Sequence, residues 1–206
     1  MNIEQMNEVA SFQEIPSRQE IPAFLSLDET GEFAPSMEVQ AAEISEVFRD
    51  IPELQFENWK ELSIEERTEA LNAFENEIAK IEMRDVMPVE HEDLGSCTYG
   101  YFDGTKVVVS DALIGSDRYE DYREVLDTLF HEGRHAYQNY NLYVRQTEQS
   151  GILVDAWRVN LDKLGYDSAS SFDTLFATRG FHRYYTQPIE VDARQFAEIA
   201  LNKLGI

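Results

Sequence analysis

The stretch from about residue 118 to 140 constrains this chain more than any other, because it carries two distinct faces at a helical period. Tyr122, Val125, Leu126, Leu129 and Ala136 recur at three- and four-residue spacing and fall on one side of an α-helix. Nearly opposite stand His131 and His135, beside Glu124 and Thr128. Such a helix buries its apolar side against a core and turns its histidine side to a cleft. Two of the chain's four histidines thus share one face, about one turn apart.

That separation lets both imidazoles reach a single ion at about 2.0–2.1 Å. Glu132 projects about 100° away from His131, beside such an ion rather than onto it, where it can take a proton from a bound water. His-Glu-x-x-His on a helix is the pattern of zinc-dependent peptide hydrolysis by that route. The rival reading is a solvated polar face. Gly133, inside the motif, costs about 1 kcal/mol against alanine in a helix. Its presence predicts that a strand, a substrate backbone or another packed element comes close at that point.

A catalytic zinc takes three protein ligands and leaves its fourth position to water. The position six residues after His135 is Asn141, so a third histidine at that spacing is excluded. The remaining candidates are His182, Glu148, Glu190, Asp192 and Cys97. A last helix is predicted from Pro188 to Leu204, with Gly205 past its end. Ile189, Ala193, Phe196, Ala200 and Leu204 define its apolar face. Glu190 lies about 60° from the centre of that face and Asp192 about 100°. A carboxylate aimed at a core is costly unless it is paired or ligates metal. A glutamate in a first helical turn is also favoured by the macrodipole, so geometry alone leaves both readings of Glu190 open. His182, Tyr184 and Tyr185 directly precede Glu190 and are candidates to steady an oxyanion, with Tyr185 taken as the catalytic one. Arg134 and Gln138 flank the histidines and either orient ligands or face solvent.

Elsewhere, Met37, Ala41, Ile44, Phe48 and Ile51 predict a helix over 37–50 with Ser36 as its cap. Ser63 and Glu66 stand at capping-box spacing before the stripe Leu71, Phe74, Ile78 and Ile81. The run 96–110 has two β-rich segments around Asp103 and Gly104, the dipeptide of a tight hairpin. Residues 151–165 predict a helix with Ile152, Leu153, Trp157, Leu161 and Leu164 on one side and Gly165 as its stop, and 169–178 a shorter one. In the first 35 residues Gln-Glu-Ile-Pro occurs twice, without helical periodicity, which reads as an extended arm. The expected fold is α+β, mostly helical, with a small antiparallel sheet and the motif helix at its centre. Residues 1–56 form an acidic arm and helix, and 57–206 the core domain.

"HEGRH" followed by "IEVDARQFA" resembles the gluzincin-type zincins, most of all the ImmA/IrrE-like peptidases that cleave phage repressors. In that group a second helix reads Glu-x-x-Ala-x-x-Phe-Ala, which Glu190, Ala193, Phe196 and Ala197 match position by position. The resemblance covers about 120–205. It implies a zincin-like fold, His131, His135 and Glu190 as zinc ligands, and Glu132 as general base. The chain departs from the group in the long 55-residue step from His135 to Glu190 and in Asn139, where a histidine is frequent. The core is also similar to zincin domains that end bacterial polymorphic toxins. Peptide deformylases pair an upstream strand cysteine with a His-Glu-x-x-His helix, which makes Cys97, 34 positions before His131, the alternative third ligand.

Charge narrows the partners. The chain has 40 acids against 17 bases, a net charge of −23. The excess is concentrated in residues 1–93, with 24 acids and 6 bases. Such a surface repels nucleic acid and anionic membranes. A single cysteine fits a reducing compartment. With neither a signal-peptide pattern nor an apolar run near the roughly 20 residues that span a bilayer, the expected location is cytoplasmic. The expected function is zinc-dependent hydrolysis of amide bonds in a protein or peptide. The alternative is a non-enzymatic acidic binding protein in which the motif is vestigial or structural.

Overall fold

The capping box forms as its spacing predicts. Ser63 Oγ accepts from the Glu66 amide and Glu66 Oε2 accepts from the Ser63 amide, starting the helix α3 (Ile64–Ile81). In the computed structural model, which describes residues 32–95, 98–166 and 183–206, α3 is one of four long helices. The others are α1 (Met37–Asp50), α5 (Tyr119–Tyr143) and α7 (Pro188–Leu204). Shorter pieces connect them: α2 (Phe56–Trp59), α4 (Asp111–Ile114) and α6 (Gly151–Val159), which runs on as a π-helical turn to Leu164. The architecture is α+β and mostly helical, with one small sheet. None of the described helices is long and apolar enough to cross a membrane.

The sheet differs from the expected antiparallel one. Strands β2 (Gly100–Phe102) and β3 (Val107–Ser110) form the hairpin, Gly100 opposite Val109. A third strand, β1 (Val89–Glu92), pairs with β3 in parallel, Val89 opposite Val107, so the order is β1-β3-β2 and the sheet is mixed. The sequence hides β1 because three of its four residues are polar and only Val89 is buried. The all-apolar run Val107–Val109 reads as central, and all of β3 is buried. The hairpin turn is wider than a two-residue one. Asp103 Oδ1 accepts from the amides of Thr105 and Lys106, and Gly104 takes φ +95°.

One core joins the helices to the sheet. Ile44 and Phe48 of α1, Leu71, Phe74 and Ile78 of α3, Val125 and Leu129 of α5 and Phe196 of α7 belong to the same buried cluster as Val107 and Val109. The helix at 37–50, grouped with the arm by sequence, is therefore packed into the core of the remainder. Ser36 stands at its cap position without a side-chain bond. On α6, Val154 and Trp157 face inward, and Ile152 and Leu164, expected on the buried side, are among the most exposed apolar residues. Residues 1–31 of the predicted arm, the predicted helix at 169–178, and Cys97 and His182 lie outside the described residues.

Candidate metal centre

Helix α5 is buried nearly all round. The apolar side predicted for it is fully inside: Tyr122, Val125, Leu126, Leu129 and Ala136 are each 0–1% exposed. Its histidine side opens to solvent, with His131 and His135 side chains 16% and 15% exposed. Their Nε2 atoms stand 3.2 Å apart.

Pro188 and Ile189 start α7 against α5, and this brings Glu190, fully buried, onto the pair. One carboxylate oxygen lies 3.4 Å from His131 Nε2 and the other 3.3 Å from His135 Nε2. These are the only described residues whose His, Cys or carboxylate atoms converge within metal-binding reach. Ligands at about 2.0–2.1 Å from one tetrahedral ion lie about 3.3 Å from each other; the two Nε2 atoms, and each Nε2 with its nearer carboxylate oxygen, stand at that separation, and taken one atom per residue all three lie within 4.8 Å. The donor set, two neutral imidazoles and a carboxylate, also suits zinc. The residues therefore fit the ion.

A proton can do part of that work at the same groups. Burial alone pushes His135 down, but hydrogen bonding to Glu190 and the charges of Glu190 and Glu132 outweigh it and raise it to about 9. Burial likewise favours a neutral Glu190, and the two imidazoles overcome this and hold it well below the usual carboxylate range. Two tyrosines complete the surroundings. Tyr166 donates to Glu190 Oε1 at 2.7 Å, and Tyr184 also hydrogen-bonds Glu190. Burial and the Glu190 charge raise both phenols, which stay neutral donors. Glu132 is close enough for its charge to act on His135 and both phenols. Tyr185, the tyrosine favoured from sequence, is half exposed, and Arg194 stacks on its ring, 3.7 Å from the centroid. Tyr166 was missed, since it stands 24 positions before Glu190 with no periodicity linking the two.

Of the other candidate ligands, Asp192 and Glu148 are engaged elsewhere. Asp192 is buried too, although it lies about 100° from the centre of the apolar face. Arg134 grips it through Nε–Oδ2 (2.8 Å) and Nη2–Oδ1 (3.2 Å). Glu148 accepts from Tyr137 Oη (3.2 Å) and the Ser150 amide (2.8 Å). Arg134 and Gln138 do not face solvent: both are fully buried. The Arg134 guanidinium also donates to Gln40 of α1 and lies over the rings of Tyr137 and Phe196. Gln138 bridges His135 Nδ1, Asp192 and the Ile189 carbonyl.

Of the two glycines near the motif, the informative one is not Gly133. A Cβ at Gly133 would meet Arg84 Nη2 at 3.4 Å and Glu75 Oε2 at 4.0 Å, ordinary contacts with no backbone nearby. A Cβ at Gly100 would overlap both the Thr128 side chain and the Val108 carbonyl oxygen. That glycine lets edge strand β2 lie directly on α5, one turn before Glu132.

Compared with protein families, curated proteins and solved structures, the chain matches none.

Proposed function

We propose that this protein is a zinc-dependent peptidase, with His131, His135 and Glu190 as ligands and Glu132 as general base. The observation that carries the reading is the convergence of two Nε2 atoms, 3.2 Å apart, on a buried carboxylate whose two oxygens lie 3.4 Å and 3.3 Å from them, with Glu132 near enough for its charge to act on His135. When bound, zinc supplies a water made acidic near neutral pH and a polarised carbonyl. Glu132 takes a proton from the attacking water and passes it to the amine that leaves as the C–N bond breaks. Tyr166 and Tyr184 give their O–H groups to Glu190 and so orient that ligand, which leaves Tyr185 as the tyrosine candidate for steadying the oxyanion. The outer edge of β2, held on α5 through Gly100, offers backbone groups along which an extended peptide can pair.

Metal analysis after purification without chelators tests the first half of this reading. Close to one zinc per chain is expected, abolished by His131→Ala or His135→Ala. Glu132→Gln, assayed on a peptide library and on unfolded proteins, tests the second half: zinc and fold stay and hydrolysis is lost. A wild-type protein that binds zinc but cleaves nothing in that library would mark the site as structural.

A further inference from the structure

Gln138 lies one turn after His135 on α5, and its amide cannot turn over. Its Nε2 donates to two pure acceptors, the Ile189 carbonyl oxygen (2.9 Å) and Asp192 Oδ2 (2.8 Å). Asp192 is in turn held by Arg134, which grips both its oxygens inside the core. With the amide nitrogen committed, the amide oxygen faces His135 Nδ1 at 2.8 Å. An acceptor there demands a proton on Nδ1. The neutral ring then carries its lone pair on Nε2, the atom that points at His131 and Glu190.

We infer that Gln138 is a positioning residue: it sets the ring orientation and Nδ1–H tautomer of His135 and, by gripping the carbonyl next to Glu190, keeps the two ligand-bearing helices in register. Its purpose rests on the metal reading, whereas its geometry rests on the hydrogen bonds alone. An imidazole ligand whose other nitrogen is held binds metal more tightly because ring and tautomer are set beforehand. Here a side-chain amide, oriented by a buried Asp–Arg pair, takes the place that a carboxylate or backbone carbonyl commonly fills.

Two readouts test this. In the metal-free protein, at a pH where the His135 ring is neutral, nitrogen-15 imidazole spectra should show the Nδ1–H tautomer through a slowly exchanging Hδ1 signal, lost in Gln138→Leu. Zinc affinity, measured by competition with a chromophoric chelator, should fall about 10–100-fold in that variant. Asn141→Leu is the control. Asn141 is equally buried on the same helix and bonded to Tyr137, Thr147 and Glu148, but touches neither histidine. It should lower the melting temperature and leave zinc affinity unchanged. The inference is overturned if Gln138→Leu keeps the Hδ1 signal and wild-type affinity, or if Asn141→Leu loses as much. A wild-type protein that takes up no zinc yet shows the Hδ1 signal, lost in Gln138→Leu, would remove the metal reading and leave the positioning intact.

Discussion

Two polar layers lie on either side of α5, and they differ in how donors meet acceptors. Behind the helix, Arg84 donates to Glu75 and Glu82, and Arg134 to Asp192, at 2.6–3.2 Å. Guanidinium and carboxylate alternate there. Only Glu82 Oε1 lacks a hydrogen bond, and Arg134 Nη1 stands 3.8 Å from it. In front of the helix, two imidazole Nε2 atoms and a carboxylate converge on one point. Arg194 reaches Glu190 from the side, at 3.5 Å. The rear layer is a closed set of ion pairs that holds α1, α3, α5 and α7 together. The front layer is a surplus of acceptors, which needs a proton or a cation at its centre. Buried charge is common to both, so burial does not separate site from scaffold. The balance of donors and acceptors does.

The comparison breaks most sharply at two carboxylates near the start of α7. Glu190→Ala leaves two histidines and should cost more zinc affinity than the about 10–100-fold of an outer-shell change, with the smaller effect on the metal-free fold. Asp192→Ala leaves Arg134 buried without its main partner and should cost about 3–5 kcal/mol of stability. Chelator competition and urea unfolding on both variants check this, and equal effects on both measures would erase the distinction between the layers.

The glycines sharpen the comparison at lower cost. Gly100→Ala forces β2 off α5 and should destabilise by about 1–3 kcal/mol, with loss of any activity that depends on the β2 edge. Gly133→Ala places a methyl in ordinary contact with the rear ion pairs and should gain up to about 1 kcal/mol from helix propensity. Thermal unfolding ranks the two, and a loss in Gly133→Ala would show that the rear layer has no slack.

The smallest expected effect is on pH. His135 is raised above its ordinary 6.5, so its pairing with Glu190 is complete below about pH 6.5 and is lost as pH rises through about 9. Glu190 is depressed, so its share is present above its ordinary 4.5 and fades only at lower pH. The melting temperature of chelator-treated protein should therefore decline as pH rises through about 9, and the zinc-loaded protein should lack that step. A metal-free melting temperature that is flat across that range would detach His135 from Glu190.

Helical period alone put His131, Glu132 and His135 on the open side of α5 and Tyr122, Val125 and Leu129 on its buried side, because a helix converts spacing into direction without help from the rest of the chain. The capping box of α3 and the hairpin around Gly104 were legible for the same reason: each is a hydrogen-bonded unit within a few residues. The strand β1 was not, since its pairing partner lies 18 positions away and only one of its residues is buried. The sequence favoured Glu190 over Glu148 and Asp192 by its angle on the last helix and by the second motif, but helical period alone does not bring it to the histidines. Glu190 and Asp192 are two residues apart and so point about 200° from each other on α7. Which one meets the histidines and which meets Arg134 is decided by how α7 is rotated against α5, and that rotation is set by Phe130 against Phe196 and by Gln138 on the Ile189 carbonyl. The tyrosine that bonds Glu190 was out of reach in the same way. Tyr166 arrives from the end of α6 through tertiary packing, while Tyr185, five positions from the ligand in sequence, turns its ring to Arg194.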